Sequence, residues 1–378
     1  MKKGRFFKTV VNKSYGLSAG IWYEGWSSRE KCRRIGRVHL KDRLRLIKSV
    51  SRKPEAAPET EKVPPLTTAE EPCPAARASE FEGWRYEGEF VYSRTVGFSG
   101  TAVAGVGPVP AAGLGALLPD TRRFLASGSS ITPAALTFFD LETTGLSGGA
   151  GTVAFLAAFG RAAVDNSLAV TQYLLLDYPG EALFLSKCLK NLSGLVVSYN
   201  GKSFDSQIIK NRCIMNAVPP PFYHHADLVH PARYLWKRKI PSCRQRDMEE
   251  LVLGLDRGDD LPGSFAPDAW FRFLKTGQKD NLLKTCAHNI SDIAGLAAIW
   301  NMFTAIAESP LAAGKQYNAD LEHLALRYYN FVKRRYREGH PAPLIIEETA
   351  TKLLEQAAYE GSEIAQLLWK RKYGTQLF

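Results

Sequence analysis

The sequence lacks both a run of about 18–20 uninterrupted apolar residues and any C-x-x-C pair. Without such a run, the sequence predicts no membrane-spanning helix and no membrane partner. Six cysteines are scattered over 378 residues, which fits neither a zinc ribbon nor a disulfide framework. Near the N-terminus, Asn12 and Lys13 interrupt the chain before an apolar core of signal-peptide length develops. We therefore expect a cytoplasmic protein with reduced thiols.

Acidic residues are scarce at the start of the chain. Residues 1–53 contain 16 Lys and Arg against three acids, although the whole chain carries a net charge of only +11. The basic charge therefore belongs to this segment and not to the rest of the protein. A basic arm attracts nucleic acid because it neutralises phosphates and releases counterions. A solvated arm without a specific partner would have the same composition, so both interpretations stay open.

Composition divides the rest of the chain into further segments. Residues 54–81 are rich in Pro, Ala and Glu, and they predict a disordered linker. Residues 82–130 contain short glycine-rich apolar runs and are predicted to be a small lead-in segment, either β-like or irregular. Residues 131–302 form the predicted catalytic body. Residues 317–378 have helical spacing that weakly resembles a tetratricopeptide helix pair, which could bind a protein partner.

The order of elements within the body predicts its fold class. Three apolar runs separated by turns come first, starting with "LTFFDLE", and they read as strands. Helical and strand patterns then alternate, and the last part of the body is helical. This order predicts an α/β fold with a mixed five-stranded sheet flanked by helices, followed by the C-terminal helical extension.

Four carboxylates and a histidine stand in three short segments of the body. Asp140 and Glu142 lie two residues apart in a strand, so their side chains share a face. Asp205 comes near the start of a helix, and His288 and Asp292 share a helical face. Taken singly, these groups could be a solvated strand end, a helix-start carboxylate and a surface pair. Taken together, their oxygen ligands suit Mg²⁺ or Mn²⁺ better than zinc.

The segments "DLETTGL", "YNGKSFD" and "HNISD" resemble the three motifs of the DnaQ-like (DEDD) 3′–5′ exonuclease superfamily. The match is closest to the YprB-like ribonuclease-H-like branch, and it covers roughly residues 136–300. The resemblance implies an RNase H-like fold. It also implies hydrolysis of phosphodiester bonds from single-stranded 3′ ends, with two Mg²⁺ or Mn²⁺ ions as cofactors and nucleic acid as the partner.

The resemblance further implies roles for individual residues. The implied metal ligands are Asp140, Glu142, Asp205 and Asp292. Asp140 would bridge the two ions, and His288 would orient or deprotonate the attacking water. His288 stands four residues before Asp292, which is the spacing of the tyrosine subfamily, whereas the histidine subfamily has five. The residues implied to border the terminal nucleotide are Thr143, Asn200, Lys202 and Phe204.

Other functions are compatible with the same sequence. A structure-specific endonuclease would carry every one of these motifs. A catalytically weak nucleic-acid-binding or scaffold protein would keep the fold without the chemistry. Asp227, at the end of another predicted strand, could reach the site, but the motifs do not make it a ligand. No residue type separates RNA from DNA as the substrate.

Overall fold

The computed structural model describes residues 81–98, 111–126, 131–145, 151–162, 167–258 and 262–374. The predicted basic arm (1–53) and, apart from Phe81, the predicted linker (54–81) lie outside these residues. The strands in the described part of the chain are β1 (Arg85–Gly88), β2 (Val91–Phe98), β3 (Leu136–Thr143), β4 (Ala154–Ala162), β5 (Leu168–Leu175), β6 (Leu195–Ser198) and β7 (His224–Asp227).

Helices surround these strands and make up the C-terminal part of the protein. The α-helices are α1 (Ala111–Leu117), α2 (Thr121–Ala126), α3 (Glu181–Leu189), α4 (Asp205–Met215), α5 (Val229–Trp236), α6 (Ala266–Thr276), α7 (Asp280–Glu308), α8 (Pro310–Gln316), α9 (Leu321–Arg337), α10 (Leu344–Tyr359) and α11 (Glu363–Tyr373). Between α5 and α6, a short helical turn, Gln245–Asp247, continues as a π-helical turn, Met248–Val252.

The strands form one mixed sheet in the order β1-β2-β5-β4-β3-β6-β7. Strands β3, β6 and β7 are parallel neighbours, and the other pairs are antiparallel. This arrangement confirms the predicted mixed α/β class. The sheet has seven strands rather than five because the lead-in segment contributes β1 and β2. Strand β2 pairs along the whole of β5, and this pairing covers an edge that β5 would otherwise expose.

Helix α7 is the central helix of the fold. By length and composition it could cross a membrane, since an 18-residue window has a mean hydropathy of 1.4. However, 67% of that window is buried inside the protein. Ile293, Trp300 and Phe303 of this helix are completely buried. The apolar character of α7 is therefore explained by its position in the core of the described structure.

One continuous hydrophobic cluster joins the sheet to the C-terminal helices. It contains Phe138 of β3, Trp300 of α7, Tyr328 of α9 and Leu353 of α10. The helices predicted as an extension at 317–378 therefore pack directly against the body and bury apolar surface with it.

A glycine in the sheet allows α7 to approach closely. A Cβ atom added at Gly160 of β4 would lie 2.5 Å from Cγ2 of Ile293 and 3.2 Å from Cβ of Phe138. Both distances are too short for ordinary carbon–carbon contact. The absence of a side chain at this position therefore sets how near α7 lies to β3 and β4.

We expect Gly160→Ala to destabilise the protein by about 1–3 kcal/mol, because the added methyl group overpacks the contact between α7 and the sheet. Urea unfolding followed by circular dichroism measures this change. Gly97→Ala is the matched control, since Gly97 also lies in a strand but has no atom within 4 Å of an added Cβ. Equal stability of the two variants would contradict the packing argument.

Candidate functional site

Three elements bring the predicted ligands to one region. Asp140 and Glu142 lie on β3, which pairs with β4 on one side and with β6 on the other. Asp205 is the first residue of α4, which follows β6. His288 and Asp292 lie on α7, which packs against β3. Strand β3, helix α4 and helix α7 thus supply all five side chains.

The ligand atoms of Glu142, His288 and Asp292 lie within 4.8 Å of one another. Burial raises the pKa of Asp140 well above its usual range. The carboxylates whose charges raise this pKa further are Asp292, Asp205 and Glu142. Because such repulsion weakens with distance, the four carboxylates form one cluster of like charge. The structure therefore brings together every residue predicted to bind metal.

A chain of hydrogen bonds reaches Asp140 from the sheet. Asn289 Nδ2 donates to Asp140 Oδ2 at 2.7 Å, and Gln172 Nε2 donates to Asn289 Oδ1 at 2.8 Å. Arg94 Nε on β2 in turn donates to Gln172 Oε1 at 2.8 Å. Gln172 and Asn289 are both fully buried. The sequence analysis missed this chain, although Asn289 stands inside the "HNISD" motif and Gln172 is a polar residue in an apolar strand.

The turn before Asp205 requires a glycine. A Cβ at Gly201 would lie 2.4 Å from Ser198 Oγ and 2.8 Å from Asp205 Oδ2. Gly201 therefore lets the backbone pass directly beside the carboxylate. Burial, followed by the charge of Asp227, raises the pKa of Asp205 to about 7. In the metal-free protein this carboxyl is therefore protonated in mildly acidic solution.

Asp227 organises the loop between β6 and α4. Its Oδ1 accepts hydrogen bonds from the backbone N–H groups of Asn200 at 2.7 Å and Val229 at 3.1 Å. Its Oδ2 accepts one from the N–H of Lys202 at 3.0 Å. Asn200 has a φ of +68°, a left-handed conformation that asparagine tolerates better than most residues. Asp227 thus fixes the loop beside Asp205.

The residues predicted to border a terminal nucleotide lie at the ends of β3 and β6. Thr143 is buried, and its hydroxyl donates to the backbone carbonyl two residues later at 2.9 Å. Lys202 Nζ forms an ion pair with Asp120 Oδ1 at 2.6 Å. Phe204 is half-buried against the core, whereas Asn200 is exposed. Their roles with a nucleotide stay predictions.

Asp292 is held by cationic and polar neighbours. Arg257 Nη1 lies 2.6 Å from Asp292 Oδ1, and His288 Nε2 lies 3.2 Å from Asp292 Oδ2. Arg257 also forms a two-point ion pair with Glu249, in which its Nη2 donates to Oε1 at 2.7 Å. Glu249 is buried against Gly295 of α7, where an added Cβ would lie 1.9 Å from Oε1. No motif of the sequence analysis included Arg257 or Glu249.

The donor set fits divalent cations. Arg257 offsets charge at Asp292, but the hydrogen-bond donor at Asp140 is the neutral Asn289. Asp140 therefore has a neutral hydrogen-bond donor where Asp292 has a cation. Carboxylate oxygens in this number are the ligands preferred by Mg²⁺ and Mn²⁺. Glu142, His288 and Asp292 could hold one such ion.

Comparison with known proteins agrees with this architecture. Residues 137–304 match the RNase_H superfamily. Over 170 residues, 44% of the chain, the sequence is 38% identical to the uncharacterized protein YprB of Bacillus subtilis (strain 168). The chain carries a YprB-like, RNase H-like domain. The match covers 41% of the length of that relative, so the similarity concerns less than half of YprB.

Solved structures with weak similarity include a polymerase and exonucleases. The family B DNA polymerase from the hyperthermophilic archaeon Pyrobaculum calidifontis is 15% identical, with a TM-score of 0.36, over 55% of this chain and 30% of the polymerase. The zinc-bound E. coli ExoI–ssDNA complex is 16% identical, with a TM-score of 0.31, over 47% and 41%. E. coli Exonuclease I with a dT13 oligonucleotide is 18% identical, with a TM-score of 0.27, over 39% and 42%.

We expect the affinity of the RNase H-like domain for Mn²⁺ to rise with pH through about 7, because a metal at the predicted ligand Asp205 would have to displace its proton. Each displaced proton makes the affinity change about tenfold per pH unit below that value. The same proton stabilises the metal-free fold at acidic pH, and this stability is lost as the pH rises through about 7. Calorimetric titration in two buffers of different ionisation enthalpy measures affinity and proton release together. Affinity that does not vary between pH 5.5 and pH 7.5 would contradict this expectation.

We expect Arg257→Met to lower the free energy of unfolding by about 3–5 kcal/mol, because Glu249 would be left buried without its counter-charge. Adding Glu249→Gln removes that stranded charge, so the double variant should be more stable than the single one. Arg246→Met is the control, since its ion pair with Glu250 is exposed and is expected to contribute less than about 1 kcal/mol. Urea unfolding in EDTA gives all three values, and a double variant no more stable than Arg257→Met would refute the stranded-charge explanation.

Proposed function

We propose that the protein is a metal-dependent nuclease that hydrolyses phosphodiester bonds in nucleic acid. The observation that supports this most strongly is the cluster of Asp140 and its three neighbouring carboxylates, which lies beside a histidine in a domain of the RNase_H superfamily. A merely structural cluster of this kind would carry a large electrostatic cost without compensation. Bound divalent cations would compensate this repulsion and could in turn contact the phosphodiester.

We further propose that this cluster would hold two Mg²⁺ or Mn²⁺ ions. The proposed ligands are Asp140, Glu142, Asp205 and Asp292. When bound, such a pair of ions activates water and stabilises the leaving oxygen of the phosphodiester. The chain's own residues keep the carboxylates in place, since Asn289 orients Asp140 and Arg257 orients Asp292.

His288 is proposed to accept the proton of the attacking water. Its imidazole lies on the same helical face as Asp292, and its ring nitrogen belongs to the group that includes Glu142. Asp292 beside the ring would stabilise the imidazolium that forms. The spacing of four residues to Asp292 is compatible with this role because both side chains project from α7 towards β3.

The proposed substrate is a single-stranded 3′ end, from which nucleotides are removed one at a time. The loop after β6 carries the exposed Asn200 and also Lys202, and it lies directly before Asp205. These side chains are positioned by Asp227 and could contact the last nucleotide. The three motifs that resemble DEDD exonucleases support the 3′ to 5′ direction.

We expect metal-dependent, stepwise shortening of single-stranded RNA or DNA from the 3′ end. The assay uses 3′- and 5′-labelled strands with Mg²⁺, Mn²⁺ or EDTA. Asp140→Asn should lower the rate by more than about a hundredfold. Loss of a residue that only hydrogen-bonds to a metal ligand already costs about 10–100-fold, and Asp140 is a proposed ligand itself. His288→Gln tests the proton acceptor in the same assay.

The control for this assay is Asp268→Asn, which removes an exposed carboxylate from α6 and should leave the rate unchanged. Internal cuts in the labelled strands would replace the exonuclease proposal by a structure-specific endonuclease. Absence of cleavage in either metal, with strand binding intact, would overturn the nuclease proposal in favour of a binding or scaffold protein.

A further inference from the structure

A second charged site lies outside the carboxylate cluster. A cavity of about 360 Å³ opens between α2, α5 and α9. The guanidinium groups of Arg122, Arg327 and Arg334 line it. The aromatic rings of Tyr234 and Phe331 form apolar parts of its wall. The cavity thus combines concentrated positive charge with flat apolar surface.

The charges in this cavity are poorly neutralised by the protein. Among the residues that the structure describes, Arg122 and Arg327 form no ion pair with a carboxylate, and Arg334 has only an exposed pair with Glu338 at 3.4 Å. Burial, followed by repulsion from Arg334 and Arg327, lowers the pKa of Arg122 to about 10. Three cations held together in this way destabilise the ligand-free protein.

One of the arginine hydrogen-bond donors at the cavity also lacks an acceptor. Arg122 Nε donates to the carbonyl of Gly115 at 2.6 Å, which fixes the position of its guanidinium group. Arg327 Nε is buried without a hydrogen-bond partner. The Arg327 guanidinium lies 4.1 Å from the centre of the Tyr234 ring and is therefore rigidly oriented. A buried donor that lacks an acceptor is costly, and an anion in the cavity would supply the acceptor.

We propose that this arginine pocket binds a backbone phosphate of the nucleic-acid strand whose end lies at the carboxylate cluster. Arginine forks match the oxygens of a phosphate, and the aromatic rings can pack against a sugar or base. The inference rests on the proposed nuclease function and extends it by giving the strand a second point of attachment. The pocket would bind the strand without reading its sequence.

The two sites are connected through the start of α2. Pro119 lines the arginine pocket, and the next residue, Asp120, forms the ion pair with Lys202 in the loop beside the carboxylates. Asp120 Oδ2 also accepts a hydrogen bond from the N–H of Asp227 at 3.2 Å. One rigid connection therefore joins the pocket wall to the loop that would contact the terminal nucleotide. In the proposed arrangement, a strand would extend from that loop to the arginines.

A free mononucleotide or inorganic pyrophosphate would offer the same phosphate chemistry to the pocket. If the ligand is a strand phosphate, the pocket contributes to oligonucleotide binding; if it is a free phosphate compound, the pocket does not. We therefore measure binding of a labelled single-stranded oligonucleotide and, in a separate arm, binding of adenosine monophosphate and pyrophosphate. All arms use the full chain in EDTA, so that no cleavage occurs.

We expect Arg122→Gln and Arg327→Gln each to weaken oligonucleotide binding about tenfold or more, since each removes a charged hydrogen bond to phosphate. Lys333→Gln is the matched control, because it removes one positive charge from the exposed face of α9 without lining the pocket. Fluorescence anisotropy at fixed salt gives the three affinities. Thermal melting of each variant checks that it is folded at the assay temperature, since the substitutions also remove the contacts of Arg122 with Gly115 and of Arg327 with Tyr234.

Equal affinities of the pocket variants and Lys333→Gln would overturn the proposal. Binding of the mononucleotide or pyrophosphate with unchanged oligonucleotide binding would overturn it as well, in favour of a free phosphate ligand. Hydrolysis of bis(p-nitrophenyl) phosphate with Mn²⁺, a diester that carries no nucleic-acid strand, separates this result from the proposed function. Unchanged hydrolysis with weakened strand binding supports the pocket, whereas weakened strand binding without any hydrolysis supports the pocket but not the nuclease.

Discussion

The contact between α7 and the sheet at Gly160 is the constraint on which the candidate site depends. Ile293 packs where a side chain at position 160 would otherwise stand, and Asp292 is its neighbour on the helix. The same approach places His288 near Glu142 and forces like charges together around Asp140. Apolar burial along α7 supplies the stabilisation that offsets this repulsion. The core of the fold and the charge of the site are thus two consequences of one packing contact.

The protein neutralises this charge unevenly. Arg257, itself fixed by the buried Glu249, gives Asp292 a cationic partner. Asp140 instead receives a hydrogen bond from Asn289, whose amide carries no net charge. A neutral donor fixes the orientation of the carboxylate without occupying it with a competing cation. No cation of the protein is paired with Asp140 at the centre of the cluster, so this carboxyl is left for a divalent ion, whereas Asp292 at the edge is already paired with Arg257.

Short motifs made the fold class and the position of the site predictable, since "DLETTGL", "YNGKSFD" and "HNISD" name residues that the structure brings together. For the segment that holds β1 and β2 the sequence left a β-like and an irregular conformation open, because its glycine-rich apolar runs show no sustained alternation, and pairing with β5 determines the strands. Arg257, Gln172 and the loop-fixing role of Asp227 were also missed. Their importance lies in contacts with residues distant in sequence, and no local pattern reports such contacts. The catalytic roles of the predicted residues stay predictions.

The cationic arginine pocket and the carboxylate cluster lie at different places in the protein, and this separation defines an orientation for a bound strand. Like charges repel one another within the arginine pocket and within the carboxylate cluster. The Asp120–Lys202 ion pair connects the two sites. A polyanion alone relieves only the arginines, and divalent cations alone relieve only the carboxylates. In the proposed function, a strand that reaches both sites would also bring its terminal phosphate to the cations, so each ligand would lower the electrostatic cost of binding the other. By thermodynamic linkage this coupling is reciprocal, which favours a strand threaded from pocket to cluster over one bound at either site alone.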